Sequence, residues 1–237
     1  MNRETLFEEF INECERDSHH WEFCGQGNPN ADILLIGQEP ASRINVDNQK
    51  KIHENHELCR NKDTRDCPRP KRNEYTGKTN TTWQNYQRLI NKIYGPSGCK
   101  DKYDFEKYAF TTELGNVARM HSKVDVETRT AIQNRLELIK SSDFIQSFPV
   151  IILACGPYIK NTDSNKEIDE TFEVEFDGYY KNYGKGVWFY SHHNTVETKF
   201  FAKGEKLVIH TKQFSYIVPN LFLDDMVAVI KKHLNIK

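Results

Sequence analysis

Five short runs of mainly apolar residues predict buried β-strands. They are Ala31 to Gly37 (ADILLIG), Tyr108 to Leu114 (YAFTTEL), Pro149 to Cys155 (PVIILAC), Gly186 to Ser191 (GVWFYS) and Lys206 to His210 (KLVIH). Runs of this kind, bounded by glycine, proline and charged residues, are typical of strands that are covered on both faces. The segment Thr171 to Phe176 instead alternates between polar and apolar residues, which predicts an exposed strand.

Apolar residues at helical spacing predict amphipathic helices between and around these strands. The helical segments are 3–16, 83–94, 126–139 and 223–234. The second of them ends at Gly95–Pro96, a pair that terminates helices. Strands that alternate with helices indicate an α/β fold with a mainly parallel sheet and helices on both of its faces.

The stretch 42–80 differs from its surroundings because it is polar and has few large apolar side chains. Within it, Arg60 to Arg72 (RNKDTRDCPRPKR) combines charged residues, turn residues and proline, so we expect an exposed insertion. No internal repeat divides the chain, and 237 residues suit one large core. We therefore expect a single domain over 1–237 with a polar insertion at about 42–80.

The overall charge excludes a protein that is drawn to nucleic acid by a global positive field. The chain has 33 basic and 34 acidic residues, which gives a net charge of −1. Locally, the segment 60–72 has six basic and two acidic residues, hence +4, and could follow a phosphate backbone. The alternative is a solvated loop. The candidate contacts to a nucleic-acid backbone are Arg69, Lys71, Arg72 and, after the last strand, Lys212.

Three features of the sequence favour a cytoplasmic protein with no membrane partner. No apolar stretch approaches the roughly 20 residues that a membrane span requires. The start of the chain, MNRETLFEEF, is acidic and amphipathic, unlike a signal peptide. The six cysteines form no C-x-x-C pair, so free thiols are expected. A zinc site from Cys59, Cys67, His53 and His56 is a weaker alternative, because its spacing is loose.

Polar residues follow the first, second and last of the predicted strands. These segments are Gly37-Gln38-Glu39-Pro40, Glu113-Leu114-Gly115-Asn116 and His210-Thr211-Lys212-Gln213. Ligands bind parallel sheets beyond the carboxyl ends of the strands, so an acid, an amide and a histidine are expected to meet in one crevice. Each segment also has a structural interpretation, as a plain turn with a solvated glutamate or as a histidine satisfied by its neighbours.

The run Gly27 to Ala41 (GNPNADILLIGQEPA) resembles the first motif of the uracil-DNA glycosylase superfamily, in which a strand ends in GQDPY or GEAPG. The order of the later elements is also similar, and the resemblance extends over more than half of the chain. It implies a three-layer α/β/α sandwich with a central, mainly parallel four-stranded sheet. It also implies cleavage of the N-glycosidic bond of uracil or a related damaged base in DNA. Only iron–sulfur branches of the superfamily use a cofactor, so neither a cofactor nor a metal ion is expected here.

The first motif carries over residue by residue. Glu39 matches the aspartate of the GQDPY form and is the candidate for activating water or stabilising the sugar cation, although its extra methylene changes its reach. Gln38 matches the glutamate of the GEAPG form. Together with Gly37 and Pro40, Gln38 is expected to bind the substrate.

The later motifs leave alternatives open. Either Asn116 or Glu113 matches the asparagine that reads the base, and a carboxylate in this role accepts hydrogen bonds but cannot donate them. His210 matches the histidine of the last motif, HPS, but the residues after it lack the proline. His192, within Ser191-His192-His193-Asn194, is the alternative histidine. His210 is favoured because it precedes the last helix directly, and Gln213 is the remaining expected substrate contact.

These residues suit the chemistry of base excision, because an enzyme that acts on a base must first extrude that base into a pocket. Glu39 would serve the sugar and the attacking water, and His210 would stabilise the leaving base. The sequence therefore predicts a glycosylase-like hydrolase whose partner is DNA. The alternatives are a protein of the same fold that binds nucleic acid or a nucleotide without catalysis and, more remotely, a hydrolase of free nucleosides.

Overall fold

The computed structural model describes residues 2–16, 22–38, 48–71, 80–96, 98–99, 101–115, 125–216 and 218–237. The strands are β1 (Gln26–Gly27), β2 (Ile33–Gly37), β3 (Arg69–Pro70), β4 (Lys102–Tyr103), β5 (Ala109–Glu113), β6 (Val150–Leu153), β7 (Asn161–Thr162), β8 (Asn165–Lys166), β9 (Glu175–Asn182), β10 (Trp188–His193) and β11 (Leu207–Thr211). Seven of them form one sheet in the order β1-β5-β2-β6-β11-β10-β9, while β3 pairs with β4 and β7 with β8.

The centre of the sheet is parallel. The strands β5, β2, β6 and β11 pair in parallel, whereas β1, β10 and β9 pair antiparallel to their neighbours. In this register Gly37 lies beside Glu113, and Leu153 pairs with both Ile36 and His210. The predicted mixed α/β fold with a mostly parallel sheet is confirmed. The sheet has seven strands rather than four, because β1 extends one side and the hairpin of β9 and β10 extends the other.

Both faces of the central strands are covered by apolar residues. Leu34 and Ile36 of β2 belong to one buried cluster, and Ile33 and Leu35 belong to another. Successive side chains of a strand point to opposite faces, so the two clusters lie on opposite sides of the sheet. This double burial explains why β2 reads as an unbroken apolar run rather than as an alternating one.

The described helices are α1 (Arg3–Glu15), α2 (Asn48–Arg60), α3 (Thr81–Tyr94), α4 (Val126–Ser141), α5 (Asp143–Gln146), α6 (Glu167–Phe172) and α7 (Asn220–His233). Four of them, α1, α3, α4 and α7, lie where the apolar periodicity predicts them. Residues of α1, α4 and α5 contribute to the first apolar cluster, and residues of α3 and α7 contribute to the second. None of the helices that the structure describes is both long enough and apolar enough to traverse a bilayer.

The predicted polar insertion at 42–80 contains α2, which packs against the body of the protein, so this stretch is not exposed throughout. Ile52, Asn55, His56 and Cys59 of α2 are buried. The Asn55 side chain accepts hydrogen bonds from the backbone N–H groups of Cys24 and Gly25 and donates one to the Gly25 carbonyl oxygen. A polar helix can therefore be buried here because its amide and imidazole groups satisfy a neighbouring loop.

The prediction of an exposed strand over 171–176 is also wrong in its bounds. Residues Glu167–Phe172 form α6, Glu173 has a left-handed backbone conformation that ends this helix, and β9 begins only at Glu175. Ile168 and Phe172 of α6 are buried in the first apolar cluster. Tertiary burial of this face therefore overrides the local alternation of the sequence.

Candidate functional site

The carboxyl ends of the parallel strands bring three of the predicted segments to one edge of the sheet. The Leu114 N–H donates to the Gly37 carbonyl oxygen at 3.0 Å, and the Gly115 N–H donates to the Gln38 carbonyl oxygen at 2.6 Å. These bonds continue the β2–β5 ladder past both strand ends. The first and second motif segments therefore leave the sheet side by side.

The Glu113 carboxylate lies directly over the backbone of Gly37. A Cβ atom at position 37 would overlap Glu113 Oε2 and would lie 2.9 Å from Glu113 Cδ. Only glycine leaves this space free, so the glycine of the first motif and the glutamate of the second depend on each other. Burial raises the pKa of the Tyr86 hydroxyl and of the Cys155 thiol, and the negative charge of Glu113 raises both further.

Gln38 joins this edge to the turn that follows β6. Its side chain is buried, and its Nε2 donates a hydrogen bond to the Cys155 carbonyl oxygen at 3.1 Å. Gly156 has a φ of +53°, and a Cβ there would lie 3.6 Å from Gln38 Nε2 and 3.9 Å from the Gln213 backbone nitrogen. The first motif therefore contacts the β6 turn, and the backbone of the segment after β11 passes close to that turn.

His210 closes the same edge from β11. It is buried, and its Nε2 lies 2.9 Å from the Gly156 carbonyl oxygen. Burial lowers the pKa of His210 to about 4, so the ring is neutral near pH 7 and has one N–H. A carbonyl oxygen can only accept, so Nε2 carries this proton and donates it to Gly156. The predicted leaving-group histidine thus uses its N–H to hold the β6 turn.

Lowering the pH should destabilise the protein through His210. Its folded-state pKa of about 4 is below the ordinary value of 6.5, so the unfolded chain takes up a proton first. The contribution to stability is complete above pH 6.5 and is lost as the pH falls from 6.5 to about 4, by about 3 kcal/mol. Urea unfolding of wild type and His210→Gln across this range measures the difference, since glutamine keeps a donor for Gly156 but does not titrate. An identical pH dependence in both proteins would contradict the assignment.

A cleft of about 590 Å³ adjoins this edge, and His210 and Gly156 form part of its wall. Its other residues come from β10 and the turn before it, from Lys212 after β11, from Phe176 of β9, and from the segment between β6 and α6. They include the aromatic side chains Trp188 and Tyr190 and the alternative histidine, His192. This cleft therefore lies next to the predicted site and is large enough to hold a nucleoside.

His192 is oriented by an acid. Its Nδ1 lies 3.1 Å from Asp169 Oδ1. Burial lowers the pKa of His192 although Asp169 opposes this effect, so the neutral ring donates through Nδ1. Its Nε2 then has a lone pair, and among the described residues this buried atom has no hydrogen-bond partner. His192 and His210 both border the cleft, so the structure keeps both histidines as candidates.

The basic segment 60–72 offers less free charge than its sequence suggests. Arg60 pairs with Glu15, Arg65 with Glu4, and Arg69 with both oxygens of the buried Glu106. The Arg69 guanidinium also lies 4.6 Å from the centroid of the Trp83 ring. These three arginines neutralise acids of other elements, so among the described residues the segment offers less free positive charge than its composition implies. A structural role accounts for Arg69 better than contact with a phosphate backbone does.

Four predicted site residues, Glu39, Pro40, Asn116 and Arg72, lie outside the described residues. Their roles remain predictions, as does the choice between Glu113 and Asn116. Lys71 follows β3, and Lys212 and Gln213 follow β11.

The sequence reasoning missed the aromatic wall of the cleft and assigned no residue to stack on a base. The aromatic wall could have been predicted from the spacing of Trp188, Tyr190 and His192, because alternate residues of a strand lie on one face. Within the described ranges, no group of three His, Cys, Asp or Glu side chains is arranged to hold a metal ion.

Comparison with known proteins identifies no relative: no protein-family model matches the chain, and no curated protein matches it either.

Proposed function

We propose that this protein is a divergent uracil-DNA glycosylase-like hydrolase, with a three-layer α/β/α arrangement, that cleaves the N-glycosidic bond of uracil or another deaminated base in DNA. One observation carries the proposal. The edge of the sheet joins Gly37 and Gln38 of the first motif to Glu113, to the β6 turn and to His210 through direct contacts. The two covered faces of the sheet support the layered arrangement.

In the proposed reaction, positive charge develops on the sugar and negative charge on the leaving base, and a different residue stabilises each. Water adds to C1′ of the sugar, the C1′–N bond breaks, and its electron pair leaves with the base. Glu39 stabilises the developing sugar cation and accepts the proton from water. His210 donates its Nε2–H to the base anion, which requires that this hydrogen bond moves from Gly156 O to the base. The base finally takes up a proton, so the products are the free base and an abasic sugar.

If Glu113 rather than Asn116 contacts the base, the site favours some bases over others. An ionised carboxylate accepts hydrogen bonds only, whereas an asparagine amide both accepts and donates. A base that presents N–H groups to Glu113 is therefore favoured, and a base that presents a carbonyl oxygen there is repelled. Uracil, hypoxanthine and xanthine differ in where these groups lie, so the substrate panel tests the role of Glu113 directly.

A gel assay for abasic product tests the proposal. Oligonucleotides with one uracil, hypoxanthine or xanthine, single- and double-stranded, are incubated with the protein and then cleaved with alkali. We expect product from at least one of these substrates. Glu39→Gln purified in parallel is the matched control, and equal product from it would contradict the role of Glu39 or show a contaminating enzyme. No product from any substrate, under conditions where a known glycosylase is active, would reject the proposal.

The second candidate function is binding of nucleic acid or of a nucleotide by the same site without catalysis. It is favoured by the hydrogen bond that occupies the only N–H of neutral His210. The same experiment separates the two functions, since salt-dependent oligonucleotide binding without abasic product would support this second function.

A further inference from the structure

The β9–β10 hairpin presents a row of aromatic rings on one side of the sheet. We define this aromatic face by Phe176 and Tyr180 of β9 together with Trp188 and Tyr190 of β10. Tyr180 pairs with Tyr190 across the two strands, and their rings are stacked with centroids 4.5 Å apart. Tyr190 also contacts Phe176 at 5.8 Å and Trp188 at 5.2 Å. The four rings therefore form one continuous surface.

Two of the four rings are exposed and the other two are half-buried, although aromatic residues are normally buried. Phe176 and Tyr180 are each 44% exposed. In contrast, Phe189, the residue between Trp188 and Tyr190, points to the other side of the strand and is fully buried against Phe222 of α7. The hairpin thus has an ordinary core face and an unusual outer face, and an exposed aromatic cluster of this kind is typical of a binding surface.

Charge and hydrogen-bonding groups border the aromatic face. Three lysines, Lys160, Lys166 and Lys212, line the cleft together with one acid, Asp163, so the charge of this wall is 3 − 1 = +2. Lys166 lies 3.7 Å from Asp169, the partner of His192, and Lys160 is exposed. A ligand with flat aromatic rings and negative charges matches this combination.

His192 supplies an independent argument for a ligand. It is on the same side of β10 as Trp188 and Tyr190, it is 2% exposed, and its ring centroid lies 5.7 Å from that of Phe176. A buried acceptor without a partner, as His192 Nε2 is among the described residues, costs free energy that a ligand donor would recover. An N–H of a base or a hydroxyl of a sugar is such a donor.

We propose that the cleft binds single-stranded nucleic acid, with unpaired bases stacked on the aromatic face, phosphates near the three lysines, and a base or sugar group donating a hydrogen bond to His192 Nε2. From Trp188 to His192 the wall extends about 13 Å along β10, which is long enough for more than one base. A duplex hides the faces of its bases, whereas a single strand exposes them.

This inference extends the proposed function, because Gly156 and His210 belong both to the cleft and to the edge where excision is proposed. A single strand along β10 would lead to that edge. The inference is tested with oligonucleotides that contain no damaged base. Its failure and the failure of the excision chemistry are therefore separate results.

Fluorescence anisotropy of a labelled oligothymidylate of about ten nucleotides measures the binding. We expect Tyr180→Ala to weaken the affinity by about tenfold or more, since one stacking partner is lost. Tyr108→Ala is the matched control. Tyr108 is 42% exposed and stacks on Tyr94 at 5.5 Å, much as Tyr180 stacks on Tyr190. Tyr180 is in ring contact with a residue of the cleft wall, Tyr190, whereas neither Tyr108 nor Tyr94 lines the cleft. Circular dichroism of Tyr180→Ala and Tyr108→Ala checks that both variants are folded.

Three further arms complete the experiment. Lys160→Gln should reduce the dependence of affinity on salt, because one phosphate contact is lost. Duplex of the same length should compete poorly. Absence of binding, or equal losses in Tyr180→Ala and Tyr108→Ala, would overturn the proposal. Thymidine monophosphate competing as well as the oligonucleotide would overturn it too, in favour of a free-nucleotide site.

Discussion

Gly37→Ala is expected to slow the proposed base excision by about a hundredfold, because a small displacement of a reacting group has effects of this size. The added methyl group would occupy the position of Glu113 Oε2 and lie 2.9 Å from Glu113 Cδ. The backbone of β2 cannot retreat, since β5 and β6 pair with it on both sides. The Glu113 side chain must therefore rotate away from the strand end. Single-turnover gel assays on the preferred oligonucleotide measure the rate.

The effect should be on activity rather than on folding. The atoms that move belong to the end of a flexible side chain, so the free energy of unfolding should change by less than about 1 kcal/mol. Gly98→Ala is the control, because a Cβ there contacts nothing within 4 Å. In a Glu113→Ala background, the Gly37→Ala change should have little further effect, since no carboxylate remains to be displaced. Independent, multiplicative losses in the double variant would contradict the proposed contact.

Arg135→Met is expected to lower the free energy of unfolding by about 3–5 kcal/mol, the usual cost of breaking a buried ion pair from one side. Arg135 of α4 is 1% exposed. Its guanidinium donates to the carbonyl oxygens of Phe23 and Glu113 and to the Thr112 hydroxyl, and it lies 3.6 Å from the Glu22 carboxylate. Methionine fills similar volume but donates no hydrogen bond, so these acceptors lose the guanidinium as a donor.

Urea unfolding near pH 7 measures this loss. Lys92→Met is the matched control, because Lys92 makes an ion pair with Asp224 in which both side chains are substantially exposed. Exposed pairs contribute little, so this control should lose less than about 1 kcal/mol. A loss of similar size in both variants would show that the Arg135 network is not the cause. Arg135 also holds the end of β5, so its variant should lose the proposed excision activity together with stability.

The central parallel strands could be predicted from the sequence for a physical reason. The strands β2 and β6 are covered on both faces, so burial leaves a continuous apolar run that can be recognised without neighbours. The ends of such strands must meet at one edge, and the contacts among Gly37, Gln38 and Glu113 follow that rule. This part of the candidate site could be anticipated from the sequence alone.

Other features of the candidate site could not be predicted, because they depend on residues that are distant in the sequence. Three positive charges of the 60–72 segment are neutralised because Arg60, Arg65 and Arg69 form ion pairs with acids from α1 and from the turn before β5. Which ring nitrogen of neutral His210 carries the proton likewise depends on a carbonyl oxygen 54 residues away, that of Gly156. Local composition cannot report such pairings. The aromatic face was visible as an alternation, but only the pairing of β9 with β10 shows that its rings form one surface.

The alternation of β10 also constrains the length of the hairpin that carries it. Trp188 and Tyr190 point outwards while Phe189 points into the core, and Asn182 pairs with Trp188 at the end of the hairpin. Inserting one residue at the start of β10 would exchange these sides and bring Phe189 to the solvent. Natural variants of this hairpin should therefore differ in length by two residues rather than by one, which is a pattern that sequencing of relatives can reveal without any assay.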